Sequence, residues 1–182
     1  IKIKRVENGV YLIHKNGEKT FYDKVILAMH APEALEILED PSPKEVEILS
    51  AFKYKANSAV LHSDNNILHP NRKMYAAWNY TSSNIENKAV TLTYWINSLQ
   101  NLKTKKDYFV SLNETKSIKN VIENISYDHP QFDSKAILMQ SRKDEICGVN
   151  NTYYAGAYWR YGFHEDGLLS ATKVASKLMC EF

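Results

Sequence analysis

Residues 153–178 of the chain read YYAGAYWRYGFHEDGLLSATKVASKL. This stretch contains three of the six glycines of the chain, many aromatic side chains and no proline. Residues 151–157 are typical of a strand, and a glycine-containing loop follows them. A helix is predicted from Gly167 to Met179, with Asp166 as its N-cap and apolar side chains along one face. The segment is therefore predicted to be a strand–loop–helix unit.

The loop and the start of this helix have the residue types of a ligand site. Gly156, directly after the strand, allows the backbone to approach a ligand closely, although a simple bend would use the same residue. The N-terminus of the helix carries unpaired N–H groups and a partial positive charge, so it can hold an anion. Tyr158, Trp159 and Tyr161 can stack on a planar ligand or line the join between two domains. A ligand site and a purely structural helix therefore both remain open.

The N-terminal residues are predicted to form a β-meander that leads into a buried strand. Asn8-Gly9 and Asn16-Gly17 are hairpin signals, and each lies between β-rich runs. Residues 25–29 are a continuous apolar run, which predicts a strand buried on both faces.

Two helices are predicted after this strand. The first begins with Pro32 in its first turn. The second has Ser42 as its cap, Pro43 at its first position and Glu45 at its third.

The middle of the chain has a different pattern. Aromatic and β-branched residues alternate with polar ones, and clusters of Asn, Pro and Ser separate the runs. This predicts an antiparallel sheet with one covered face. Residues 118–130 are compatible with either a helix or a strand, and residues 135–143 (KAILMQSRK) are interpreted as a strand.

The predicted fold class is α+β, with the character of a fragment of an α/β protein. Residues 1–54 are predicted to be one part, residues 55–150 a sheet domain, and residues 151–182 the closing strand–loop–helix. Because the character of the last part returns to that of the first, we expect both ends of the chain to belong to one structural unit.

Composition excludes several classes of protein. The net charge is +2 over 182 residues, with basic and acidic residues interspersed, so no nucleic-acid partner is predicted. No apolar run has the length of a membrane helix, and no transmembrane segment is predicted. Two cysteines without metal-ligand spacing indicate a reducing compartment, and hence a cytoplasmic protein. Because the chain begins at Ile1 within a predicted strand, we expect it to be a fragment or a processed product.

Two kinds of catalytic site are disfavoured. His164, Glu165 and Asp166 are consecutive, and three consecutive residues rarely converge on one ion, so no metal site is predicted. A Ser-His-Asp hydrolase would need a nucleophile elbow, and the sequence has no G-x-S-x-G. His62 and His129 are interpreted as making local hydrogen bonds, and no catalytic residue is assigned.

The chain resembles a known family along nearly its whole length. The resemblance rests on residues 25–64, on AAWNY, VTLTYWINSLQ and SYDHPQFD, and above all on GAYW-x-YGFHEDG-x-x-S near the C-terminus. These segments are similar to the C-terminal part of the bacterial predicted NAD/FAD-binding proteins of the flavin-containing amine-oxidase superfamily. The resemblance implies an FAD-dependent oxidoreductase, with residues 1–54 and 151–182 in the FAD-binding domain and residues 55–150 in the substrate domain.

The resemblance also implies which residues lie near the cofactor. Gly156 matches the glycine that approaches the pyrophosphate and ribityl chain. Ala157 replaces the polar residue common in related amine oxidases, which weakens the expectation of a ribityl hydrogen bond there. Glu165, Asp166 and Gly167 match the segment beside the pyrimidine edge of the flavin. Further residues are assigned proximity to the cofactor, namely Tyr158, Gly162, His164, Ser170, Ala28 and His30.

The family's dinucleotide-binding motif G-x-G-x-x-G is not in this sequence. We therefore expect that these residues alone do not retain FAD, and that surfaces exposed without the rest of the protein cause self-association. The substrate is expected to be a small molecule, lipid-like more than a small amine. The alternative function is a non-catalytic domain that binds a lipid or a partner protein.

Overall fold

The computed structural model describes residues 1–81, 91–114 and 116–180. Its ten strands are β1 (Lys2–Val6), β2 (Gly9–Ile13), β3 (Lys19–Tyr22), β4 (Val25–Leu27), β5 (Lys53–His62), β6 (Trp78–Thr81), β7 (Thr91–Trp95), β8 (Phe109–Leu112), β9 (Val121–Gln131) and β10 (Thr152–Tyr154). Its five α-helices are α1 (Ala31–Ile37), α2 (Pro43–Leu49), α3 (Ile96–Leu99), α4 (Ser134–Gln140) and α5 (His164–Met179). The mixture of helices and mainly antiparallel sheets confirms the predicted α+β class.

The chain divides into two compact units. Unit 1 contains residues 1–54 and 130–182, and unit 2 contains residues 55–129. Residues 130–150, which the sequence analysis placed in the sheet domain, thus cluster with unit 1. Assigning unit 1 to cofactor binding and unit 2 to substrate binding remains a prediction.

The β-meander of unit 1 forms as predicted. β1 pairs with β2 and β2 pairs with β3, both antiparallel, and the two Asn-Gly turns connect them. Alternation along β1 places Ile3 in the core, and Val10 of β2 is also buried there. Because successive side chains of a strand point to opposite faces, one face of the meander packs against the core of unit 1.

β4 and β10 form a parallel pair that joins the two ends of the chain. Val25 pairs with Thr152, and Leu27 pairs with Tyr154. Leu27 is buried, but Ile26 is 48% exposed. The prediction that the apolar run is buried on both faces is therefore wrong for the described chain, because the face that carries Ile26 is only partly covered.

Polar side chains cap the N-termini of helices in unit 1. Ser42 caps α2 as predicted: its hydroxyl accepts from the backbone N–H of Glu45, and the Glu45 carboxylate accepts from the backbone N–H of Ser42 at 2.7 Å.

The KAILMQSRK segment is helical over α4, so the predicted strand is wrong. Asp133 caps α4 through the N–H of Ala136 at 2.8 Å. Ala136 and Met139, three positions apart, both face the core, and this spacing suits a helix.

Unit 2 is dominated by an antiparallel sheet in the strand order β6-β7-β8-β5-β9. Cross-strand registers give one of its faces an apolar character, with Trp78 opposite Tyr94, Tyr94 opposite Val110 and Val110 opposite Leu61. β9 overlaps the segment 118–130, which the sequence left compatible with either a helix or a strand. Across the parts of the chain that the structure describes, no helix has both the length and the apolar character needed to cross a membrane.

Candidate functional site

Seven of the eleven candidate site residues line one cavity of about 410 Å³ within unit 1. They are Ala28, His30, Gly156, Ala157, Tyr158, Gly162 and Gly167. The other lining residues are Met29, Tyr54, Pro130, Ala155 and Ala171. We call this space the glycine cavity. Its lining contains no Lys, Arg, Asp or Glu among the described residues, so it suits a ligand held by shape and by neutral hydrogen-bonding groups.

The parallel pairing of β4 and β10 creates the cavity. Both strands end at the same edge of their small sheet, and the residues that follow each strand line the space. Ala28, Met29 and His30 follow β4, and residues 155–158 follow β10. A ligand site outside the carboxyl ends of parallel strands is the usual arrangement in α/β sheets.

Gly156 is required by its neighbour Tyr158. Its backbone is extended, with φ 163°, so backbone strain does not demand glycine there. A Cβ atom at this position would, however, lie 2.7 Å from Cδ1 of the Tyr158 ring. The residue thus has a packing role independent of any ligand, and its predicted approach to a cofactor remains a prediction.

Two neutral tyrosines form part of the cavity wall. Burial raises the pKa of Tyr54 to about 12. Burial also raises the pKa of Tyr158; Tyr54 adds to this effect, and the nearby Trp159 N–H partly offsets it. Tyr158 Oη is buried and has no partner with hydrogen-bond geometry among the described residues. A buried hydroxyl without a partner is costly, so a ligand acceptor in the cavity would be favoured.

The last helix begins earlier than predicted. Phe163 is the N-cap of α5, and Asp166 is the third helical residue. The prediction of Asp166 as N-cap is therefore wrong. The Asp166 carboxylate instead accepts from the backbone N–H of Phe163 at 3.0 Å, and this bond closes the first turn. His164 and Glu165 lie in the same turn, but their side chains are exposed. They line neither the glycine cavity nor the second cavity of unit 1, which is described next.

Ser170 faces away from the glycine cavity but supports its wall. Its hydroxyl oxygen accepts from the backbone N–H of Gly156 at 3.2 Å and from Lys143 Nζ at 2.9 Å. Ser170 and Asp166 both line a second cavity of unit 1. Ser170 therefore positions the loop after β10 instead of contacting a ligand in the glycine cavity.

In a buried histidine–serine pair of unit 2, the hydrogen bonds prevent the histidine from acting as a base toward the serine. His62 Nε2 lies 2.9 Å from Ser111 Oγ, and both residues are fully buried. His62 Nδ1 accepts from the backbone N–H of Asp64, so Nε2 must carry the proton of the neutral ring. Burial, moreover, lowers the pKa of His62. A ring that donates to the serine cannot take its proton, and the local hydrogen bonding predicted for His62 is confirmed.

The residues that sequence reasoning missed differ in how easily they could have been found. Ala171 lies four positions after Gly167 on α5, so helical spacing alone places it on the same face. Tyr54 and Pro130 lie in segments that carry the family resemblance, but nothing in the residues around them indicates a role in this cavity. No group of three or more potential metal ligands occurs within the described ranges.

The comparisons with known proteins identify a shared fold. No protein-family model and no curated protein matches the chain. A reduced UDP-galactopyranose mutase matches with a TM-score of 0.67 and 12% identity, over 100% of this chain and 46% of that one. A CLA-producing fatty acid isomerase from P. acnes matches with a TM-score of 0.65 and 15% identity, over 97% of this chain and 46% of that one.

A cyclohexylamine oxidase from Brevibacterium oxydans IH-35A matches with a TM-score of 0.61 and 10% identity, over 98% of this chain and 48% of that one. The chain thus spans about half the length of these proteins. At such low identity, these matches show that the chain has the fold of part of each of these proteins.

Proposed function

We propose that the chain is the C-terminal portion of an FAD-dependent, amine-oxidase-like oxidoreductase, and that the glycine cavity receives part of the flavin cofactor. The observation that carries this proposal is that seven residues implied by the resemblance, from the two separate segments 28–30 and 156–167, line one cavity. The fold agrees with it, since one structure with this fold is an oxidase and another is a mutase described in its reduced form.

The residues present fit a flavin in three respects. Three glycines and four alanines in the lining leave room for a ring or a ribityl chain close to the backbone. Tyr158 Oη is a buried group that still needs a partner. The backbone N–H groups in the first turn of α5, near Gly167, carry a partial positive charge that would favour an electron-rich edge of the cofactor, although Glu165 and Asp166 in the same turn reduce it.

When bound, the flavin would supply the acceptor for a hydride from the substrate. The chain's own residues would bind and orient it. Ser170 would hold the loop at Gly156 in place, and the apolar wall would exclude water from the cofactor. No described residue is assigned a proton-transfer role.

The substrate is proposed to be lipid-like because of the sheet of unit 2. One face of that sheet is apolar across four strands, through Tyr80 and Leu92 as well as the residues paired with Tyr94. Such a face favours an aliphatic ligand over a small charged amine. The same face supports the alternative of a lipid- or partner-binding domain without redox chemistry.

The visible absorption spectrum of the protein from its complete gene separates these functions. Flavin bands near stoichiometric with the protein are expected, and anaerobic addition of a substrate should bleach them. A colourless protein that does not take up added FAD would reject the flavoenzyme and leave the binding domain.

A further inference from the structure

The second cavity of unit 1 has a strongly cationic lining. Its volume is about 280 Å³, and its lining includes four cations: Lys143, Arg160, Lys173 and Lys177. Lys173 and Lys177 are four positions apart on α5, so they share one face of the helix. Lys143 comes from the 3₁₀ turn after α4. Two separate segments therefore direct amines to one concave surface.

The positive charge of this lining is only partly compensated. The cavity has two carboxylates, Asp144 and Asp166, against its four cations. Asp166 lies 3.6 Å from Arg160. Within the described parts of the chain, no carboxylate comes within 4 Å of any of the three lysine amines. Lys143 Nζ donates to the neutral hydroxyl of Ser170, and Lys177 Nζ donates to the carbonyl of Cys147.

Lys143 differs from an ordinary surface lysine. Its amine lies 5.6 Å from the centre of the Trp159 indole, and its side chain is half-buried. Burial lowers the pKa of Lys143; Cys147 and Asp144 oppose this effect, and the like charges of Lys173 and Lys177 add to it. Burial and the neighbouring cations thus disfavour the charged amine relative to an ordinary surface lysine, and an anion beside it would offset this effect.

The Trp159 indole forms part of the same wall. Trp159 is 8% exposed, and its Nε1–H lies near the Tyr158 hydroxyl, so this donor is not counted toward a ligand of the cationic cavity. The cavity thus combines an excess of positive charge with the surface of an aromatic ring. Oxygen-rich anions suit the excess of positive charge.

We propose that this cavity binds a phosphate dianion, either a soluble phosphate monoester or the head group of a phosphate-bearing lipid. A dianion matches the excess of two positive charges in the lining better than a carboxylate does. The site is separate from the glycine cavity, because α5 presents Gly167 and Ala171 to that cavity and Ser170, Lys173 and Lys177 to this one. The proposal does not depend on a flavin.

Protection of the lysines from acetylation tests the proposal. The protein is treated with limiting acetylating reagent at increasing inorganic phosphate, with sodium chloride holding the ionic strength constant, and each lysine is quantified by peptide mass mapping. Acetylation of Lys143, Lys173 and Lys177 should slow several-fold and saturably, whereas that of Lys19 and Lys53 should not change. Equal slowing at all lysines, or slowing at none, would overturn the proposal.

A double variant gives an independent control. Lys173→Gln with Lys177→Gln should abolish the phosphate protection of Lys143, while Lys135→Gln, outside the cavity lining, should leave it intact. Retained protection in the double variant would contradict the site. Glycerol 3-phosphate and phosphatidic acid vesicles, compared in the same assay, then distinguish a soluble monoester from a lipid head group by which protects at lower phosphate concentration.

Discussion

The ring of Tyr158 lies so close to Gly156 that a Cβ atom on residue 156 would be 2.7 Å from its Cδ1 atom. This relationship fixes the path of the chain as it leaves β10, and it brings the Tyr158 hydroxyl to a buried position without a partner. The glycine cavity is built around these two residues. Its shape therefore depends on packing within unit 1 before any ligand is considered.

Gly156→Ala should destabilise the protein by about 1–3 kcal/mol, because the Tyr158 ring has to move. The free energy of unfolding in urea measures this cost. The matched control is Gly167→Ala, where the nearest atoms are 3.9 Å away and a helical alanine should be neutral or slightly stabilising.

A second comparison identifies the tyrosine as the cause. In a Tyr158→Leu background, the cost of Gly156→Ala should shrink. An unchanged cost there would contradict the account of Gly156. Loss of flavin in a Gly156→Val protein would not by itself prove contact with the cofactor, since the valine also displaces Tyr158.

Glu45 is the centre of a buried network that stabilises unit 1. Its carboxylate is 1% exposed and accepts from Arg5 and from the Tyr154 hydroxyl, the latter at 2.6 Å. Glu45→Ala leaves the buried Arg5 paired only with Asp40 and the Tyr154 hydroxyl without its acceptor, and it should cost about 3 kcal/mol in urea unfolding. Glu47→Ala, on the same helix but at an exposed pair with Arg142, should have little effect. Equal effects of the two substitutions would rule out this network as a source of stability.

The same carboxylate predicts how stability depends on pH. Burial tends to raise the pKa of Glu45, but the bonds from Arg5, Tyr154 and the Ser42 backbone outweigh it and hold the pKa below 4.5. The contribution of ionised Glu45 to the free energy of unfolding is therefore fully present above pH 4.5. It is lost as the pH falls through the lower pKa of the folded state. Urea unfolding between pH 7 and pH 3 measures this loss. Glu45→Ala should remove part of that dependence; an identical pH profile in the variant would show that other groups cause it.

The His62–Ser111 pair should be structural. Ser111→Ala removes a buried hydroxyl that is also bonded to Thr93 at 2.8 Å, so the free energy of unfolding should fall by about 1–3 kcal/mol. A fluorophosphonate probe should not label Ser111, and ¹⁵N NMR should find the proton on His62 Nε2. Labelling of Ser111, or a proton on His62 Nδ1, would contradict this account and support a hydrolase function.

Local signals made much of unit 1 predictable. The Asn-Gly turns and the Ser42 capping box depend on neighbouring residues, so their outcomes follow from short-range chemistry. The sequence patterns of residues 1–54 and 151–182 are similar in kind, and we expected both to belong to one unit. β4 from the first segment pairs with β10 from the second. The residues alone indicated Gly156 and Tyr158 as ligand-site candidates, and the resemblance to a family added Ala28, His30, Ala157, Gly162 and Gly167 to the residues that line the glycine cavity.

The errors arose where tertiary packing decides. The apolar run of α4 is too short for its period to separate helix from strand, and the cap at Asp133 was the signal that could have distinguished them. The exposure of Ile26 depends on what covers one face of β4, which local sequence does not specify. Tyr54 reaches the cavity only through the fold.

The flavin-to-protein ratio of two variants made in the complete gene tests the central claim most directly. Ala171→Phe places a ring at the solvent-exposed side of the glycine cavity, and Thr172→Phe adds the same ring at the next position, which is also exposed but lies outside the lining. Absorption spectra of the purified proteins should show flavin lost from Ala171→Phe and retained at the parent level by Thr172→Phe. Full flavin content in Ala171→Phe would contradict the placement of the cofactor in this cavity.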